Sequence, residues 1–228
     1  MARINYIIGR LVFIFLTVFG LSALSQTRSP CPVLKKEVNV SVITSPRDIT
    51  YQLGVKQNKL NQLAGKILRT RANNSSRVLG LTSTGHSITY EMSSQTARIG
   101  PNRYCSRIRS VNMNILVTKI NVYVLGKYRR GSCQYNAVID HEHEHVATFQ
   151  SGIQTLEREF NSKLPHTIRN LPAGIGSTPK QAGQSAFRNL KHGINKLRKP
   201  IERMMKLRNR QIDTPKSYKL LTQQCINW

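Results

Sequence analysis

The chain has 228 residues, 39% of them hydrophobic, and carries 35 Lys and Arg against 10 Asp and Glu for a formal charge of +25. That length suits one ordinary domain with a core of its own and argues against a minimal scaffold held by staples alone. The charge argues against cationic partners and favours anionic polymers, anionic lipid or nucleic acid.

The first 25 residues have the layout of a secretory signal peptide. Arg3 and Arg10 precede the apolar run Leu11 to Leu24, and Ala23-Leu24-Ser25 predicts cleavage before Gln26. The unbroken run is about 14 residues, short of the roughly 20 needed to span a bilayer. The alternative is an uncleaved anchor, since Ile4 to Leu24 holds Arg10 as its single charge. Removing Arg3 and Arg10 leaves 33 basic residues against 10 acidic, a mature charge of +23. For an exported chain, envelope polymers or a lipid surface are nearer partners than any specific nucleic acid.

Export predicts an oxidising compartment, and all four cysteines (Cys31, Cys105, Cys133, Cys225) lie after the leader. None is within CxxC-type spacing of another, which favours two disulfides over metal ligation. Of the three connectivities, Cys105 with Cys133 and Cys31 with Cys225 is favoured. The first would tie strands to the following helix, and the second would join the two ends.

Val38 to Thr44 alternates as a short strand, and Ile49 to Leu53 reads as another. Asn58 to Ala72 predicts a short basic helix ending in the polar turn Asn73-Asn74-Ser75-Ser76. Leu79 to Thr82 and Ser87 to Met92 read as strands joined through Gly85-His86. Tyr104 to Ser110 and Val111 to Leu125, rich in Val, Ile, Asn and Tyr, predict two or three antiparallel strands. Gly126 to Gly131 is a turn.

A helix follows, starting near Ser132 or Asn136 and stopping before Pro165, with Gly152 weakening it as one rod. Val138, Phe149, Ile153, Leu156, Phe160 and Leu164 supply its apolar stripe. With His141 at zero on a 100° wheel, these six fall between about 60° and 140°. His145 falls at about 40° and Glu142 at about 100°, in the middle of the stripe. His143 and Glu144 point away.

His141-Glu142-His143-Glu144-His145 contains His-Glu-x-x-His, which carries chemistry on a helix. Residues four apart share a face, so His141 and His145 can grip one metal ion while Glu142 stands beside it as a general base. Two neutral imidazoles and a carboxylate are what a catalytic zinc site uses to activate water. The bland alternative is a solvated helix whose histidines and carboxylates pair with each other, which leaves Glu142 unexplained on the apolar side. Five of the ten acidic residues crowd positions 140–159, an island suited to holding a cation.

Leu171 to Ser185, with prolines and glycines, predicts a linker. Phe187, Leu190, Ile194, Leu197, Ile201 and Met204 then step by three and four as an amphipathic helix with basic outer faces, kinked or restarted at Pro200.

The run Cys105-Ser106-Arg107-Ile108, the following strands, Gly131-Ser132-Cys133 and the His141-Glu142-x-x-His145 helix resemble a family of secreted bacterial zinc-dependent proteases of the zincin type. The likeness covers roughly residues 100–165, and departs at Glu144, where members often carry Gly. It implies a zincin-like α+β fold, with a mixed or antiparallel sheet packed on the active-site helix; the basic amphipathic helix that follows is read from its own apolar spacing. It implies His141 and His145 as ligands of Zn2+, Glu142 as general base, and a peptide or protein substrate. The expected organisation is a signal peptide at 1–25, a metallopeptidase domain at 26–170, and a linker and basic helix at 171–228 packed on it.

A third ligand is not legible. Thr148 and Ser151 stand where a metzincin has Gly and His. Glu157 and Glu159 lie about 18–21 Å along a continuous helix from His145. His166, His192, Glu202, His86 and Glu91 are the candidates, and Asp140 is a candidate for orienting a histidine. Besides a secreted or periplasmic peptidase, two alternatives stand: a basic envelope- or polyanion-binding protein, and a metal-binding module without catalysis.

Overall fold

The computed structural model describes residues 31–32, 38–68 and 78–228. The expected signal peptide and the polar turn 73–76 lie outside them. The chain runs β1 (Asn39–Ser45), β2 (Thr50–Val55), α1 (Gln57–Leu68), β3 (Gly80–Gly100) and β4 (Arg103–Leu125), followed by α2 (Cys133–Asn170), β5 (Gly174–Gly176), α3 (Pro179–Ile212) and α4 (Pro215–Gln223). It is a mixed α/β fold with a five-stranded sheet.

The 23-residue strand β4 is the spine of that sheet. The antiparallel strand β3 pairs with it from Arg103 to Val124. Along the other edge of β4 lie antiparallel β5 at Tyr104–Ser106, parallel β1 at Ser110–Leu116, and parallel β2 from Asn121 onward. The two strands expected on either side of Gly85-His86 are therefore one strand, as are those on either side of Ser110. Skipped pairings explain why they read as separate. Gly85 pairs with Lys119 and His86 with Val117, leaving Thr118 over; Ser93 pairs with Ser110 and Ser94 with Ile108, leaving Arg109 over. Each bulge flips the inward parity of β4, so the core face reads Ile108, then Val111, Met113, Ile115 and Val117, then Ile120, Val122 and Val124.

That face is covered by α2 and α3. Phe149, Ile153, Leu156, Phe160 and Leu164 of α2 join Leu190, Ile194, Ile201 and Met205 of α3 in one core with β4. On the opposite face of the sheet, Leu60 and Ala64 of α1 pack with Leu81, Tyr123 and Leu125.

Ser132 caps α2, its hydroxyl accepting from the Tyr135 amide. The helix does not break at Gly152 or stop at Pro165. A β-carbon at Gly152 would collide with the Met205 side chain, so the glycine marks the crossing of α2 and α3. Past Pro165, Ile168 is 4% exposed. Its burial is worth about 1.5–3 kcal/mol, comparable to the roughly 3 kcal/mol an internal proline costs.

The expected linker is ordered structure. Gly174 and Gly176 form β5, and β-carbons there would strike the backbone at Ala182 and Ala186 or the Gln181 side chain. These glycines permit close approach of α3, which starts at Pro179 behind the N-cap Thr178. No helix among the described residues is long and apolar enough to cross a membrane.

The disulfides are Cys31–Cys105 and Cys133–Cys225, correcting the favoured pairing. Cys105 of β4 is tied to Cys31, and the first residue of α2 is tied to the tail behind α4. Both loops, 74 and 92 residues, are long enough for about 4–5 kcal/mol each in the chain-entropy model. Two disulfides point to an oxidising compartment.

Candidate metal centre

Helices α2 and α3 run antiparallel: Thr167 lies near Gly193, Gly152 against Met205, and His145 against Asn209. This register brings the last turn of α3 over the His-Glu-x-x-His turn of α2. His141, His145 and Asp213 form a group whose potential ligand atoms all lie within 4.8 Å of one another and could hold a metal ion. Asp213 is the C-cap of α3, and its Oδ1 lies 3.3 Å from His141 Nε2 and 3.1 Å from His145 Nε2.

The donor chemistry fits a cation. His145 Nδ1 lies 3.0 Å from Asn209 Oδ1, so Nδ1 carries a proton and donates it. That tautomer leaves a lone pair on Nε2, and the Nε2 lone pair cannot face a carboxylate oxygen at 3.1 Å without a proton or a cation between them. His141 Nε2 meets the same oxygen. Two imidazoles and a carboxylate converging on one point, one ring oriented by an outer amide, is the donor set of a divalent site.

In the metal-free chain the proton takes that place. Burial alone would lower the His145 pKa, but hydrogen bonds to Asp213 and Asn209 and the negative field of Asp213 raise it from 6.5 to about 9. Burial alone would raise Asp213; hydrogen bonds from both histidines and from Tyr218 instead hold it well below the usual carboxylate range. Tyr218, from α4, donates to Asp213 Oδ1 at 3.0 Å. Its own pKa is pushed up by burial and by that carboxylate.

Glu142 is 3% exposed and Oε2 accepts a 2.7 Å hydrogen bond from the Thr82 hydroxyl on β3. Burial raises its pKa, with Thr82 and the two histidines opposing and Asp213 adding to the rise. A buried carboxylate with raised basicity beside a cation site is suited to accepting a proton. Glu142, His145, Asn209, Asp213, Thr82 and Tyr218 are among the walls of a pocket of about 230 Å3. The pocket shares Thr84, Asn209 and Asp213 with a wider groove of about 830 Å3.

None of the five third-ligand candidates joins this group. His166 is exposed and contacts Asn170, His192 and Glu91 are exposed, and Glu202 contacts His86 at 3.3 Å in the groove beyond. Asp140 is exposed, and the amide that orients His145 is Asn209 instead. His143 lies off the group, 2.8 Å from the Tyr51 hydroxyl. Glu159 pairs with Lys163. The one signal for Asp213 in the sequence was indirect. It is the single acidic residue after Glu202, placed where Thr214-Pro215 forces a new helix start.

Neither a protein-family model, nor a curated protein, nor a solved structure matches the chain.

Proposed function

We propose that the protein is a secreted or periplasmic zinc-dependent metallopeptidase with a zincin-like site, in which His141, His145 and Asp213 hold the metal. The observation that carries this reading is a buried carboxylate, Glu142, one position from His141 and lining the same pocket as His145 and Asp213. A zinc ion bound there supplies a Lewis acid that makes water nucleophilic near neutral pH and polarises a carbonyl.

The chain supplies the rest. Glu142 accepts the proton of the attacking water as its oxygen bonds to the peptide carbon, then returns it to the amine nitrogen as the C–N bond breaks. Thr82 fixes the carboxylate so that its second oxygen stays available. Asn209 and Tyr218 hold His145 and Asp213 in place. The adjoining groove, about 830 Å3, has room for a peptide segment.

The test is a pair of measurements. Purified protein is expected to contain one zinc per chain, and Glu142→Gln is expected to keep that zinc while losing about 10²–10⁴-fold in peptide hydrolysis. Unchanged hydrolysis in Glu142→Gln would leave only a metal-binding module.

A further inference from the structure

The helix that runs along the groove beside the metal centre has an unbalanced charge. Helix α3 carries ten Lys and Arg and one carboxylate, Glu202. At 100° per residue, Arg188, Lys196, Lys199, Arg203, Lys206 and Arg210 fall within an arc of about 80°, and all six are exposed. The buried residues of α3 occupy the opposite side. The basic stripe thus runs from Arg188 to Arg210, and its last two members, Lys206 and Arg210, form a wall of the groove that shares Asp213 with the metal centre.

Phe149 and Met205 give that groove an apolar floor. Glu202 also lines it, but its carboxylate is already engaged by His86 at 3.3 Å and Arg198 at 3.5 Å. Lys206 and Arg210 have no carboxylate partner among the described residues. Two unpaired cations one helical turn apart, over an apolar floor and next to the metal centre, suit anionic side chains on an extended chain.

We infer that the groove selects polypeptide segments bearing Asp or Glu close to the bond presented to the metal centre, with Lys206 and Arg210 as the specificity-determining residues. The inference rests on the peptidase reading for its substrate class, and its test separates binding from hydrolysis. A flexible peptide suits the groove better than a duplex nucleic acid or a lipid surface, because the two cations line a concave wall with an apolar floor rather than a flat or convex face.

The experiment uses the zinc-loaded full chain carrying Glu142→Gln and labelled extended peptides that differ only in bearing Glu, Gln or Lys, read by fluorescence anisotropy. The Glu peptide is expected to bind about tenfold tighter than the Gln peptide at low salt, with the Lys peptide weakest. Lys206→Glu with Arg210→Glu is expected to reverse that order. Arg188→Glu with Lys191→Glu changes net charge equally but lies far from the groove, and is expected to preserve the order. Equal loss from the distant pair would assign the preference to net charge and overturn the proposal. So would affinities that do not differ among the three peptides, or a DNA duplex that binds tighter than the Glu peptide and loses its affinity in the groove variant. Cleavage sites mapped in a peptide library with the wild-type chain are expected to show Asp and Glu enriched beside the cut. Selective binding of the Glu peptide without cleavage would sink the peptidase reading and leave the acidic subsite standing.

Discussion

Gly80 lies against Glu142 where β3 passes beneath α2. A β-carbon at position 80 would come within 2.6 Å of Glu142 Oε1 and 2.7 Å of Val138 Cγ1. The missing side chain lets the helix settle onto the strand so that the carboxylate reaches Thr82, two residues along. Gly80→Ala is therefore expected to push the Glu142 side chain off its hydrogen bond and to cost about 1–3 kcal/mol of stability by overpacking. Zinc content is expected to stay near wild type, because position 80 touches no ligand, while hydrolysis falls. Denaturant unfolding and metal analysis of the same sample check both halves.

Removal of Asp213, the proposed third ligand, separates it from the candidates that the structure leaves elsewhere. Asp213→Ala is expected to lower zinc affinity by more than the roughly 10–100-fold that outer-shell losses cause. Asn209→Ala, which removes only the orienting amide, is expected to fall within that range. His166→Ala and His192→Ala should bind zinc as wild type does. Competition with a fluorescent chelator measures all four; wild-type affinity in Asp213→Ala would remove that residue from the site.

The protonation of His145 gives the metal-free chain a defined pH response. Its folded pKa of about 9 lies above the ordinary 6.5, so its stabilising contribution is complete below the lower value and is lost as pH climbs through the higher. Asp213 has the opposite sign: held below its ordinary 3.8, it stabilises above that value and fails as pH drops further. Metal-free protein is thus expected to be most stable between about pH 4 and 6.5 with respect to this pair. Zinc must displace the His145 proton, so its affinity is expected to rise with pH up to about 9 and then level. Urea midpoints without metal, and zinc titrations across the same range, report the two trends.

The Cys133–Cys225 bond anchors the tail just beyond α4, the helix that carries Tyr218. Ala137, Leu221 and Cys225 form only a small apolar cluster of their own. Cys133→Ser with Cys225→Ser is expected to cost about 2–5 kcal/mol and to loosen α4 before the sheet. Zinc affinity should drop as Asp213 loses the Tyr218 hydroxyl. Amide exchange is expected to rise across 215–223 while β4 stays protected; uniform exchange would place the anchor elsewhere.

The spacing of His141, Glu142 and His145 could be read without a structure because it depends only on the α-helical repeat, a property of the local backbone. The same periodicity marked the buried stripe through Phe149, Leu156 and Phe160 and placed Glu142 among them, and Ser132 signalled the start. Glycine was the misleading residue. At Gly85, Gly152, Gly174 and Gly176 the chain reads as a break or a linker, and each is instead a point of close contact. A sequence shows the absent side chain but not the neighbour that requires it.

Asp213 had to wait for tertiary structure. It lies 68 residues beyond His145, at the end of a helix whose placement depends on the antiparallel crossing at Gly152 and Met205 and on the core beneath it. The disulfides follow the same rule, since Cys105 and Cys133 find partners according to where β4 and α2 carry them. Local periodicity is written in a few adjacent residues, whereas the meeting of distant side chains is set by the sum of many weak packing contacts that no short stretch encodes.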